Sequence, residues 1–295
     1  MTKKMKKLVE ALGVCLAAAL LLSLGSTVRA DSYIYGNNAS FGPDTVYQID
    51  LNTGAVTANY NVSSGNGRGV VVVGNIMYTT NADSNDVFAY NLSTNTSLGV
   101  QFAVAGATAL STMAYNGTNF IIGDYSGSNK VYTYTPTGTL VSTVTLSQCL
   151  GYCDGLEYIQ AGGGELVSNR GDAQGPYDLY TTSGTLLTSG FIDPTAACGA
   201  GAGATGIAFD GTDYFISCIN ESKLGEYSAT GVFVKDITIG AGGTSSDGTL
   251  VEDLSANYQT VLVTTPEPSS IALLALGLIG IGICGLLRRK LDTVA

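Results

Sequence analysis

Apolar and polar residues alternate along most of this chain, in short runs closed by Gly, Asn, Asp, Ser or Thr. Alternation of this kind predicts half-buried β-strand. Five runs lead into a turn of similar shape: VYQIDLNTG (46–54), VFAYNLSTN (87–95), VYTYTPTG (131–138), YDLYTTSG (177–184) and GEYSATG (225–231). The turn residues Gly54, Asn95, Gly138, Gly184 and Gly231 follow one another at intervals of 41, 43, 46 and 47. Glycine or asparagine at that place supplies the positive φ of a tight hairpin turn. A second series stands ahead of the first: GVVVVGNIMY (69–78), MAYNGTNFIIG (113–123), GLEYIQAGGGELVS (155–168) and GIAFDGTDYFIS (206–217). Each of these reads strand, turn, strand. No apolar period of 3.6 residues is sustained across the region, so no helix is expected in it.

Four strands in about 40 to 50 residues make one propeller blade. The expected fold class is all-β, a β-propeller of about five four-stranded blades, with six as the alternative count. A β-solenoid or β-sandwich is the rival fold. Residues 31–62 supply the last three strands of a unit, and 248–263 begin one. Joining the two ends within one blade closes the ring and removes free sheet edges. In pattern alone the body resembles bacterial propeller repeats such as the NHL and YVTN groups.

The two ends of the chain follow other rules. Lys3, Lys4, Lys6 and Lys7 precede an apolar run from Leu12 to Leu24, and Val28-Arg29-Ala30 stands before Asp31. This is the layout of a secretory signal peptide over 1–30, cleaved between Ala30 and Asp31; the alternative is an uncleaved N-terminal anchor. At the other end, Ile271 to Leu287 carries no charge. As a helix it would reach roughly 25 Å, a short membrane span. Arg288, Arg289 and Lys290 follow directly and hold that end in the cytoplasm. A buried core helix is the alternative reading.

Pro266-Glu267-Pro268 precedes the span, and proline keeps such a strip extended. Pro-Glu-Pro, a hydrophobic span and a basic end, in that order, resemble the PEP-CTERM sorting signal of Gram-negative, exopolysaccharide-producing bacteria. The resemblance covers about the last thirty residues. It implies that exosortase, a membrane protease-transferase, reads Pro266, Glu267 and Pro268 as a processing signal, with Arg288, Arg289 and Lys290 as its basic end. The expected division is therefore a signal peptide at 1–30, a propeller-like domain at 31–263 and a sorting signal at 264–295. The chain is expected to be anchored in the membrane and then carried to the cell surface or extracellular matrix, where polysaccharide or surface proteins are its partners.

Charge narrows the partners. Residues 31–265 hold five cations against twenty carboxylates, a net charge of −15. Nucleic acid and anionic lipid are poor partners for such a body. Cys15 and Cys284 lie in the two terminal segments, which leaves Cys149, Cys153, Cys198 and Cys218. An even number in an exported chain predicts two disulfides. Proximity favours Cys149–Cys153 and Cys198–Cys218 among three pairings. A zinc site is disfavoured, because the chain has no histidine and the spacing matches no pair of CxxC clips.

The lack of histidine also removes Ser-His-Asp and Cys-His chemistry. Carboxylate pairs remain: Asp154 with Glu157, Asp210 with Asp213, and Glu252 with Asp253. Glycosidase chemistry needs only two carboxylates, so a propeller enzyme acting on glycans or lactones is the rival function. DGTD at 210–213 reads first as a hairpin turn, and Glu157 and Asp253 as structural residues of the rim or channel. No catalytic residue is assigned and no cofactor is expected. Asp83, Asn85 and Asp86 in NADSND (81–86) form a weak calcium candidate, read first as a solvated Asx loop. The expected function is a non-enzymatic binding or structural module of the cell surface, linked to exopolysaccharide or biofilm.

Overall fold

A computed structural model describes residues 32–39, 43–160, 163–171, 175–200, 203–240 and 251–258. Twenty strands form five antiparallel four-stranded sheets. Blade 1 contains β1 (Tyr33–Asn38), β2 (Pro43–Asp50) and β3 (Val56–Ser64), and takes β20 (Val251–Ser255) as its innermost strand. Blade 2 runs outward through β4 (Gly67–Val73), β5 (Ile76–Asn81), β6 (Asp86–Asn91) and β7 (Thr96–Ala103). Blade 3 follows with β8 (Leu110–Tyr115), β9 (Phe120–Asp124), β10 (Lys130–Tyr134) and β11 (Leu140–Thr145). Blade 4 has β12 (Leu156–Ile159), β13 (Glu165–Ser168), β14 (Tyr177–Thr181) and β15 (Leu186–Ile192). Blade 5 has β16 (Ala204–Phe209), β17 (Asp213–Cys218), β18 (Lys223–Ser228) and β19 (Phe233–Thr238).

The expected count of five therefore holds against six, and the ends meet within blade 1. Tyr35 pairs with Ser255 and Asn37 with Asp253 across the closure. The predicted turns also hold: Gly54, Asn95, Gly138, Gly184 and Gly231 all have φ between 55° and 84°. They join the third and fourth strands of the five blades in turn.

The absence of helix needs correction. Thr195–Cys198 forms one helical turn, α1, between β15 and β16. Four residues are too few for an apolar period to register. Pro194 starts the turn and Gly199, at φ 74°, ends it.

The hydrophobic core is divided among the blade interfaces. Five apolar clusters each join two neighbouring blades; Met113, Ile122 and Phe120 of blade 3, for example, pack with Val71 and Val87 of blade 2. Burial falls from axis to rim. β9 is buried throughout, whereas β11 is exposed at every position but one. Inner strands touch neighbours on both faces, and accordingly β4 is buried at all but two positions and β8 at all but one.

Candidate functional site at the propeller axis

Glycine lets the inner strands crowd the axis. A Cβ on Gly206 would lie 2.4 Å from Asp253 Cα, and one on Gly155 would lie 2.1 Å from the Thr205 carbonyl oxygen. A Cβ on Gly69 would meet the Met113 nitrogen at 2.8 Å. No side chain fits at these places, so backbone packs on backbone from blade to blade.

Asp253 occupies the centre. Its Oδ2 accepts from Thr112 Oγ1 at 2.9 Å, from the Met113 amide at 3.1 Å and from the Val70 amide at 3.3 Å. One carboxyl thus ties the inner strands of blades 1, 2 and 3. Burial pushes its pKa well above the usual carboxylate range, against those hydrogen bonds. Two residues further along the same strand, the Ser255 hydroxyl accepts from the Val72 amide at 3.0 Å.

Glu157 plays a similar part on β12. It accepts from the Phe209 amide at 2.9 Å, from the Tyr158 amide at 2.8 Å and from the Tyr258 hydroxyl. Burial raises it to about 8. Tyr258 itself is buried and meets Tyr115 edge-on, ring centroids 5.8 Å apart.

A different cluster gathers where the inner strands begin. Arg68 Nη1 donates to Glu252 Oε1 at 2.5 Å and Arg68 Nη2 to the Tyr125 hydroxyl at 3.0 Å. The guanidinium also lies 4.4 Å from the centre of the Tyr125 ring, in cation–π geometry. Tyr152 leans on Tyr125 at 4.6 Å. Asp154 is close enough to influence Glu252, whose pKa burial raises and Arg68 lowers, with burial the larger effect. These residues come from blades 1 to 4. Tyr152 belongs to the loop closed by Cys149–Cys153, and that loop is pinned by Asn129, whose Oδ1 accepts from the Gly151 amide at 2.9 Å.

The sequence-derived pairs do not survive as pairs. Glu252 and Asp253 are neighbours on a strand, so their side chains leave opposite faces; Glu252 reaches Arg68, Asp253 reaches Thr112. Asp154 lies near Arg68 and Glu252, whereas Glu157 binds Tyr258 and Phe209. Asp210 Oδ1 accepts from the amides of Thr212 and Asp213, each at 2.8 Å, which is the hairpin turn. Arg68 and Tyr125 were missed as site residues. The one signal was that Arg68 is among only five cations of the body.

Both expected disulfides are present, Cys149–Cys153 and Cys198–Cys218, with Cα atoms 5.4 and 5.1 Å apart. The 81–86 loop is held as an Asx turn, the Asn81 side chain accepting from the Asp83 amide. Asp83 Oδ2 is turned to the Asn66 amide and Asn85 Nδ2 to the Val104 carbonyl; the Asp86 amide donates to Ser84. No group of three or more His, Cys, Asp or Glu is arranged to hold a metal among the described residues. Nor is any helix among them long and apolar enough to cross a membrane. Ala30, Asp31, Pro266, Glu267, Pro268, Arg288, Arg289 and Lys290 lie outside the described residues.

Comparison with known proteins adds two findings. A chain of a solved structure, "Crystal structure of Nidogen/Laminin Complex", superposes with a TM-score of 0.51 at 9% identity, covering 76% of this chain and 97% of that one. At that identity the likeness concerns the fold alone. No curated protein matches the chain. Residues 264–290 match the model of the PEP-CTERM protein-sorting motif. Such a motif implies export, membrane anchoring before processing and handling by exosortase. The chain is thus a five-bladed propeller followed by a PEP-CTERM sorting motif.

Proposed function

We propose that this protein is a non-enzymatic binding or structural module of the cell surface or extracellular matrix of a Gram-negative bacterium. On this reading residues 1–30 are removed as a signal peptide, 271–287 hold the chain in the membrane until exosortase acts, and 31–263 are the working part. Polysaccharide or surface proteins of an exopolysaccharide or biofilm system are its partners. The supporting observation is the use of the axial carboxylates. Asp253 and Glu157 are spent on backbone amides and hydroxyls of neighbouring blades, which is a structural role. The ligand-facing candidate is the start of the inner strands, where Arg68, Tyr125 and Tyr152 offer a cation and aromatic faces.

One observation favours the rival enzyme. Glu252 is raised by burial beside Arg68 and Asp154, as an acid catalyst would be. The two readings part on product analysis. The exported, oxidised protein is incubated with bacterial polysaccharides, and both retention and chain length are followed. Glycan retained at unchanged length supports the binding module. Cleavage that disappears in Glu252→Gln overturns it.

A further inference from the structure

Asn37 and Asp44 are both fully buried, and each keeps one oxygen without a hydrogen-bond partner, Asn37 Oδ1 and Asp44 Oδ1. The rest of each side chain is engaged. Asn37 Nδ2 donates to the Gly69 carbonyl at 3.0 Å, and Asp44 Oδ2 accepts from Ser63 Oγ at 2.7 Å and from Thr79 Oγ1 at 3.0 Å. The bond to Gly69 fixes the Asn37 amide, so that its oxygen and not its nitrogen is left over. Bare acceptors in an interior are costly, and an ion is one thing that satisfies them.

Gly67 marks where these oxygens converge. A Cβ at that residue would lie 2.4 Å from Asn37 Oδ1, 2.5 Å from the Asn38 carbonyl oxygen and 2.5 Å from Asp44 Oδ1. The three nearest atoms outside residues 66–68 are thus all oxygens, which holds for no other glycine among the described residues. Two irregularities of the sheet bring them together. The β1–β20 register shifts between Asn37 and Asn38, and the β2–β3 register between Asp44 and Thr45. Bulges of this kind re-aim a side chain. The result is a ring of acceptors at the seam of blades 1 and 2. Among the described residues no basic side chain pairs with its carboxylate.

The donor set selects the ion. Carboxylate, amide and carbonyl oxygens are hard ligands, which suit calcium or magnesium and not zinc or copper. A common point 2.4 to 2.5 Å from three oxygens matches calcium, which binds at about 2.3–2.6 Å, whereas magnesium demands about 2.0–2.1 Å and near-octahedral geometry. We propose that Asn37 Oδ1, the Asn38 carbonyl and Asp44 hold a calcium ion, on the far side of the three oxygens from the Gly67 α-carbon. It braces the seam where Thr79 of blade 2 meets Asp44 of blade 1. With a single carboxylate the site is weak, roughly 10⁻⁴–10⁻³ M, as in extracellular modules. It is separate from Asp83, Asn85 and Asp86 and independent of any ligand at the axis.

The test is calcium titration of the full chain in non-ionic detergent at constant sodium chloride, read by melting temperature and by calorimetry, against magnesium and EDTA. Wild type is expected to melt higher in millimolar calcium than in EDTA, with a much smaller rise in magnesium. Asp44→Asn keeps an acceptor for Ser63 and Thr79; it and Asn37→Ala are each expected to weaken calcium binding by roughly tenfold or more. Asp83→Asn is expected to leave the calcium effect unchanged. No calcium-dependent rise in wild type overturns the inference and leaves a proton on Asp44 to balance the oxygens. A rise kept in full by Asp44→Asn also overturns it, by assigning the effect to the general negative charge of the body. So does a rise abolished by Asp83→Asn, which places the ion in the 81–86 loop.

Discussion

Glu157 of β12 accepts a hydrogen bond from the Tyr258 hydroxyl, 101 residues further along the chain. A carboxyl buried among neutral donors is easiest to keep when protonated. Burial raises Glu157 to about 8 and, on β2, Asp44 to about 6. The folded state therefore holds protons that the unfolded chain, with ordinary values of 4.5 and 3.8, has released. Stability conferred by a raised carboxyl is full below the unfolded pKa and declines as pH rises toward the folded one. The melting temperature is expected to fall between about pH 4 and pH 8. Glu157→Gln, which cannot ionise, is expected to remove the upper part of that slope. A melting temperature that rises over this range would contradict the assignment.

Asp253→Ala takes the acceptor from three buried donors at once, those of Thr112, Met113 and Val70. At ~1 kcal/mol or more for each stranded donor, the loss is about 3 kcal/mol. Asp253→Asn keeps a carbonyl oxygen to accept from those donors, so it is expected to cost much less. Denaturant midpoints of the two variants decide this.

Glycine positions divide by what lies beside them. Gly206→Ala drives a methyl to 2.4 Å from Asp253 Cα, backbone against backbone, with nothing flexible to yield. Gly127 has φ 91° and open space around it, so Gly127→Ala suffers only backbone strain, of order 1 kcal/mol. Thermal melting should show a small loss for the second and a severe loss, or failure to fold, for the first.

The two disulfides are expected to differ in global effect. Cys198–Cys218 spans 20 residues and Cys149–Cys153 spans four. Closing the longer loop restricts the unfolded chain more, about 3 kcal/mol in the chain-entropy model. Replacing Cys198 and Cys218 by Ser should lower the denaturant midpoint more than replacing Cys149 and Cys153. The second replacement should instead loosen Tyr152 against Tyr125, read as a change in tyrosine near-ultraviolet circular dichroism.

Much of the fold was legible because a propeller repeats its local chemistry. Positive φ at Gly54, Asn95, Gly138, Gly184 and Gly231 is a backbone demand that few residue types meet, so the turns stand out in the sequence and set the blade count. Closure within blade 1 was legible from the three strands at one end and one at the other. The axis was less legible. Arg68 meets Glu252 across 184 residues and Thr112 meets Asp253 across 141. Such contacts follow from ring closure and leave no periodic trace. The carboxylate pairs failed for the same reason: adjacency along a strand sends Glu252 and Asp253 to different partners. The helical turn at Thr195–Cys198 was too short to register against its strand-rich surroundings.

Because β20 supplies the innermost strand of the blade that β1 begins, the ring has an order of assembly written into it. Translocation delivers the first three strands of that blade early and the fourth only after every other blade has crossed. Until Val251–Ser255 arrives, β1 has an open inner edge, and Val70, Thr112 and Met113 lack the carboxylate that unites them. The stretch that completes the ring lies only a few residues ahead of the sorting motif at 264–290. A chain broken off before the sorting motif and before β20 therefore loses its address and its last structural strand together, so a ring left open is also a ring left unsorted.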